Sequence, residues 1–176
     1  PIGLQLRQAE SGTSTMSKPD YPAVTIPIAM RFRDLDAYGH VNNSVFFTYL
    51  EEARIKLIGE HFRVEMNEEP VFVIAHAACS YTRPIQYGTD LYVTMTIREM
   101  RRASFVVDYV MHDAGGTEYA TAETTLVSYD PVKQKATGIP SWLDGALREA
   151  AEKWGSGPPG NGPATSGPGG GPGTAP

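Results

Sequence analysis

Asp34-Leu35-Asp36-Ala37-Tyr38-Gly39-His40-Val41-Asn42-Asn43 runs straight into Ser44-Val45-Phe46-Phe47-Thr48-Tyr49-Leu50-Glu51-Glu52-Ala53-Arg54-Ile55-Lys56-Leu57, and the change of pattern between the two halves decides the fold. The first half carries turn chemistry, since Asp, Gly and Asn accept backbone geometries and local hydrogen bonds that regular elements do not. In the second half the apolar residues fall at Val45, Phe46, Tyr49, Leu50, Ala53 and Leu57. That i, i+4, i+8 stripe predicts an amphipathic helix over residues 44–60, with Glu51, Glu52, Arg54 and Lys56 mostly off the stripe. Asn42 or Asn43 can cap it, because a side-chain oxygen there accepts from an exposed backbone N–H.

Outward from this junction the chain alternates in strand fashion. Residues 24–33 place Ile26, Ile28 and Met30 on one face and predict a strand. Residues 70–81, with Val71, Phe72, Val73 and Ile74, predict a well-buried strand. Leu91, Val93, Met95 and Ile97 alternate with Tyr92, Thr94, Thr96 and Arg98, and Phe105, Val107, Tyr109 and Met111 alternate with Val106, Asp108 and Val110. A Thr-rich strand follows over 120–129. The linking segments are short, and Asp113-Ala114-Gly115-Gly116 is a turn signal. Residues 140–153, with Trp142, Leu143, Leu147, Ala150 and Ala151, predict a closing helix. One long helix followed by about four consecutive antiparallel strands points to an α+β fold with the sheet curled over that helix. A single helix cannot cover both sheet faces, so a homo-oligomer is expected, a homodimer or homotetramer.

Composition narrows the function. The chain has 176 residues, 41% hydrophobic and 20% charged, which suits one globular domain. A formal net charge of -5 disfavours nucleic acid as a partner. No apolar run approaches the ~20 residues that span a bilayer, so no membrane partner is expected. Cys79 is the sole cysteine, flanked by Ala77 and Ala78, and reads as a buried inert thiol. With no basic-then-apolar leader pattern at the start, a reducing, cytoplasmic setting is expected. Residues 1–23 show no sustained periodicity, with Met16 a candidate internal start. Residues 155–176 hold nine Gly and six Pro, too little apolar surface to order. The G-x-G-x-x-G match at 155–160 follows no strand and carries two prolines, so it is not a phosphate loop. The folded unit is expected over 24–154.

Asp34, Asp36, His40 and Asn43 fall where a strand hands over to a helix. The first N–H groups of a helix lack intrahelical acceptors and sit at its positive dipole end, where they can stabilise an oxyanion. Gly39 lets the backbone turn tightly and approach a ligand. A carboxylate beside that end can act as base or nucleophile on a carbonyl that the N–H groups polarise. The same residue types also serve as ordinary turn and cap residues.

The stretch Asp34-x-Asp36-x-x-Gly39-His40-x-Asn42-Asn43, continued by Phe47-x-Tyr49-x-Glu51-Glu52-Ala53-Arg54, resembles the signature of the 4-hydroxybenzoyl-CoA thioesterase-like hotdog proteins. A second match comprises Tyr81-Thr-Arg83-Pro84-Ile85, Gly88-Thr-Asp90-Leu91 and Arg101-Arg102-Ala103-Ser104-Phe105, so the resemblance spans about residues 24–130. It implies a hotdog fold, a curled antiparallel sheet wrapped around one long central helix, and hydrolysis of an acyl-CoA thioester. It also implies that Asp36 is the catalytic carboxylate, as nucleophile or as base for water, and that a backbone N–H near Asn43 holds the oxyanion. His40 matches a histidine that positions substrate or carboxylate; from the residues alone it is a histidine bonded to backbone where the helix begins. Arg101 and Arg102 match a basic pair that contacts coenzyme A phosphates, with Ser104 beside them, against a plain reading as solvated turn residues. Tyr38 and Gly39 fall to the substrate side, and Tyr38, Phe46, Phe47 and Tyr81 suit an aromatic or medium aliphatic acyl group. Coenzyme A enters only as part of the substrate, with no further cofactor.

Other charged residues are discounted. Glu51 and Glu52 are expected in solvent or paired with Arg54 or Lys56. His61, His76, His112 and Cys79 do not share metal-ligand spacing, so no metal site is expected. Two alternatives stay open: a non-catalytic acyl-CoA-binding module, and a thioesterase acting on acyl carrier protein. A hotdog dehydratase or hydratase is a third and weaker one, since its His and acidic residue sit elsewhere.

Overall fold

The computed structural model describes residues 21–58 and 71–155. The expected terminal extensions lie almost wholly outside the described residues, as does His61. Alternating apolar residues build strands β1 (Val24–Ile28), β2 (Val71–Tyr81), β3 (Leu91–Met100), β4 (Ser104–Asp113) and β5 (Glu118–Asp130). They form one antiparallel sheet in the order β1-β3-β4-β5-β2, with a two-residue β6 (Lys135–Ala136) paired to β5. Helices α1 (Asn43–Ile58) and α2 (Trp142–Trp154) complete the fold.

The period-2 pattern of β3 and β4 is realised in their burial. Leu91, Val93, Met95, Ile97, Phe105, Val107, Tyr109 and Met111 all lie buried on the inner face. Register irregularities between Ile97 and Glu99, Ile74 and His76, and Met111 and His112 add local twist, which helps the sheet curl. The polar side chains buried in this core are paired. Tyr109 and Thr124 share a 2.7 Å hydrogen bond, and Arg54 Nη1 donates to the Tyr109 hydroxyl at 3.2 Å.

Four expectations need correction. The first strand stops at Ile28, because its partner β3 starts at Leu91 opposite Ile28 and offers no ladder beyond it; a 3-10 turn over Phe32–Asp34 follows instead. The helix expected to be long and central has 16 residues, with its stripe residues Phe46, Tyr49, Leu50, Ala53 and Leu57 buried as the pattern required. It packs on β1, β3 and α2, and α2 adds Leu143, Leu147 and Ala150 to the same core, so two helices share the inner face. Strand β2 is not well buried: it is an edge strand, and Val73, Ile74 and Tyr81 are 40%, 49% and 47% exposed. Cys79 on β2 is therefore half-buried, although burial still pushes its thiol up.

Candidate active site

The chain between β1 and α1 folds into a tight turn around Asp36. Its backbone N–H donates to the His40 carbonyl at 2.7 Å, and the Gly39 N–H donates to the Asp36 carbonyl at 3.1 Å. The turn closes only because Gly39 takes φ +79, in the left-handed region. The Asp36 carboxylate is held from below: Oδ1 accepts the Tyr38 N–H at 2.8 Å and the His40 N–H at 3.1 Å. No described group donates to Oδ2. Asp36 and His40 are half-buried, and the Tyr38 ring is 87% exposed. The His40 backbone bridges to Gln86, while its ring bonds no described residue.

The same loop delivers the start of α1. Asn42 is the cap: its Oδ1 accepts the Ser44 N–H at 3.0 Å and the Ser44 hydroxyl at 2.9 Å, and its carbonyl accepts the Val45 N–H at 2.9 Å. Among the described residues nothing accepts from the Asn43 N–H, which leaves one donor at the positive end of the helix. The Tyr81 hydroxyl, from the far end of β2, donates to the Asn43 carbonyl at 3.2 Å, and its ring packs edge-on against Phe46 at 4.9 Å. Val41 N–H donates to the Ile85 carbonyl at 2.9 Å, fixing the loop after β2 against the site. Sequence reasoning placed Tyr81 among the aromatic residues for an acyl group but missed its hydroxyl contact. Asp34, by contrast, is 7% exposed and turned inward, accepting from Tyr49 and from the Arg31 N–H at 2.9 Å each. Burial, then Asp34, pushes the Tyr49 phenol far above its ordinary range.

Asp36, Tyr38, Gly39, His40 and Asn43 are thus brought together, and Arg101, Arg102 and Ser104 are not. The loop lies at the Leu91 end of β3, because Ile28 pairs with Leu91. The Arg101–Arg102 hairpin follows Met100 at the other end, and ten residues at about 3.3 Å each separate the two by roughly 30 Å. Arg101 grips Glu99 with Nε at 2.7 Å and Nη2 at 3.1 Å, and that contact holds the Glu99 carboxyl below the usual carboxylate range. Arg102 is exposed, its carbonyl accepting the Ile139 N–H at 3.0 Å, and Ser104 opens β4 half-buried. Glu52 also departs from expectation: it pairs with Arg31 rather than with Arg54 or Lys56. Among the described residues no three His, Cys, Asp or Glu side chains gather to hold a metal ion.

A family model described as the thioesterase-like superfamily matches residues 30–147. The chain belongs to the thioesterase-like superfamily. The thioester-hydrolase assignment therefore stands at family level. Among curated relatives, the long-chain acyl-CoA thioesterase FadM of Escherichia coli strain K12 is 30% identical over 129 residues, covering 72% of this chain and 95% of its own. The acyl-CoA thioester hydrolase YbgC of Escherichia coli O6:H1 is 27% identical over 117 residues, covering 65% of this chain and 87% of its own. Among solved structures, a thioesterase from Thermus thermophilus complexed with coenzyme A and Zn matches at TM-score 0.60 and 29% identity, over 75% of this chain and 96% of that one.

The loop sets a carboxylate beside a helix N-terminus. One carboxylate oxygen is anchored while the other accepts from no described group, and a backbone donor stands at the head of the adjoining helix; such a pair can act as base or nucleophile beside an oxyanion donor. No helix of the described residues is long and apolar enough to cross a membrane.

Proposed function

We propose that this chain hydrolyses an acyl-CoA thioester to the free acid and coenzyme A, with Asp36 as the reacting carboxylate and the Asn43 N–H as the oxyanion donor. The observation that carries this is the Asp36 side chain: Oδ1 is tied to two backbone N–H groups and Oδ2 to none described, in the loop that leads into α1. In one course Oδ2 attacks the thioester carbonyl, the C–S bond breaks, the thiolate leaves, and water then cleaves the acyl–Asp36 anhydride. In the other, Oδ2 takes a proton from a water that attacks the same carbonyl, the C–S bond breaks and the thiolate leaves, taking up that proton. Either way the carbonyl oxygen gains charge that the Asn43 N–H meets. His40, beside both, positions substrate, and Gly39 and Tyr38 border the approach. The named activities of FadM and YbgC support coenzyme A as the thiol carrier. Coenzyme A enters as substrate only, and the reaction asks for no resident cofactor. The lone cysteine suits a reducing cytoplasmic setting.

The reading extends to a homo-oligomer of a single 24–154 domain. Among the described residues β2 pairs only with β5, and its Val73, Ile74 and Tyr81 side chains stand open. A two-fold axis that pairs β2 antiparallel with a second copy reverses the strand direction across it. The partner's hairpin then comes to the same end of the assembly as Asp36, which reconciles the separated Arg102 with a role at coenzyme A phosphates; Ser104 and Arg101 travel with it.

The test is thiol release from a panel of acyl-CoAs, wild type against Asp36→Asn. The variant is expected to lose well over about tenfold in kcat/KM, since each ~1.4 kcal/mol of barrier is a factor of ten. Unchanged hydrolysis would remove Asp36 from the chemistry, and tight acyl-CoA binding without any turnover in the wild type would favour a binding module. Turnover of acyl carrier protein thioesters alone would move the carrier from coenzyme A to protein.

A further inference from the structure

Helix α1 carries three polar side chains, Tyr49, Glu52 and Lys56, spaced i, i+3 and i+7 along one line. Each one grips the stretch that runs from the end of β1 to the Asp36 turn. The Tyr49 hydroxyl donates to Asp34 Oδ2 at 2.9 Å, Glu52 accepts from the Arg31 guanidinium, and Lys56 Nζ donates to the Pro27 carbonyl at 2.6 Å. The gripped positions run Asp34, Arg31, Pro27, so the segment descends the helix antiparallel with about one contact per turn. This seam ends at its buried member. Tyr49 is fully buried and Asp34 nearly so, which shields their bond from water. Asp34 also ties both flanks of the reactive turn: its Oδ2 accepts the Arg31 N–H, and its carbonyl accepts the Asn42 N–H at 2.9 Å. Asn42 caps α1, and Asp36 lies two residues beyond Asp34.

We propose that Asp34 and Tyr49 are positioning residues for thioester hydrolysis, holding the Asp36 turn in fixed register against the first turn of α1. The inference rests on the functional reading above and adds to it a device that sets the separation of carboxylate and oxyanion donor. Burial, then Asp34, pushes the Tyr49 phenol up, which favours its hydroxyl as the donor to Asp34. Without that hydroxyl the Asp34 carboxylate keeps only one described donor, the Arg31 N–H, and the seam loses its one buried contact, the one nearest the Asp36 turn. Small displacements of a reacting group reduce the chemical step and leave binding of the rest of the substrate largely intact.

The experiment has two arms. Amide hydrogen exchange read by NMR reports the loop without reference to activity. In Tyr49→Phe the Tyr38 and His40 amides, which donate to Asp36, are expected to exchange about tenfold faster or more, with β3 and β4 amides at wild-type rates. In the kinetic arm, kcat per folded molecule is expected to fall about tenfold or more at unchanged KM. Asp34→Asn keeps an acceptor for Tyr49 and is expected to stay within about threefold of wild type, whereas Asp34→Ala is not. Combining Asp34→Ala with Tyr49→Phe is expected to cost no more than the worse single change. Unchanged exchange at Tyr38 and His40, or kcat per folded molecule equal to wild type in both Tyr49→Phe and Asp34→Ala, overturns the proposal. A wild type that releases no thiol overturns the functional reading instead, and the exchange arm then decides the positioning by itself.

Discussion

Gly39 is the residue on which the reactive turn depends most directly. Its φ of +79 is open to glycine and strained for other residues, yet no atom stands within 4 Å of where a Cβ would point. Gly39→Ala therefore meets no clash, and its cost is conformational, roughly 1–2 kcal/mol. If the turn opens to relieve that strain, the Tyr38 and His40 N–H groups leave Asp36. Urea unfolding is expected to show the stability loss, and thiol release a larger loss than the unfolded fraction explains; an alanine variant with wild-type stability and rate would refute the strained turn. At this scale the sequence was a good guide wherever partners are local. The Asp36 side chain accepts from Tyr38 and His40, Gly39 donates to the Asp36 carbonyl, and the Asn42 side chain accepts from Ser44, all within four residues in sequence, which a motif of ten residues can carry. Tyr49 and Asp34 lie 15 residues apart, Arg31 and Glu52 21, and Tyr81 and Asn43 38. Those contacts depend on where β1, β2 and α1 dock, so no spacing rule announces them.

Between elements, the cap of α1 allows stability and chemistry to be separated. Asn42→Ala removes the acceptor for the Ser44 N–H and hydroxyl and is expected to lower stability by about 1 kcal/mol. Asn42→Asp keeps that acceptor and adds a negative charge that favours the helix dipole, so stability is expected to hold or rise. That charge sits one residue from the proposed oxyanion donor and opposes the charge that develops there, so kcat is expected to fall. Thermal unfolding alongside kcat measures both, and an Asn42→Asp variant that is both stable and fully active argues against the Asn43 N–H as donor. Periodicity located α1, β3, β4, β5 and α2 because each alternates against a core within the chain. It overextended β1, whose ladder is limited by where β3 starts, and it took the apolar run of β2 for burial. The two-residue β6 has no period to find.

The apolar run of β2 concerns the molecule as a whole, since Val73 and Ile74 stand open among the described residues and the Arg101–Arg102 hairpin lies at the opposite end of β3 from Asp36. Both observations fit the proposed second copy, placed by a two-fold axis through the β2 edge. Placing a charge in that edge, as in Ile74→Asp, is expected to give monomers in sedimentation equilibrium, because an uncompensated carboxylate would be buried there. A sharper outcome follows from the division of residues between chains. Asp36→Asn and Arg102→Ala subunits, each weak alone, form hybrids when unfolded together and refolded. In a hybrid dimer one site combines both altered residues, and the other joins the intact Asp36 of one chain to the intact Arg102 of its partner. Random pairing makes about half the dimers hybrid with one good site in two, so activity is expected to recover to about one quarter of wild type. If Asp36 and Arg102 served the same site from one chain, hybrids would contain no intact site and mixing would restore nothing. Recovery thus reports the shared site directly, and its failure in a mixture shown to contain hybrids would return Arg102 to the solvated hairpin it occupies in the single chain.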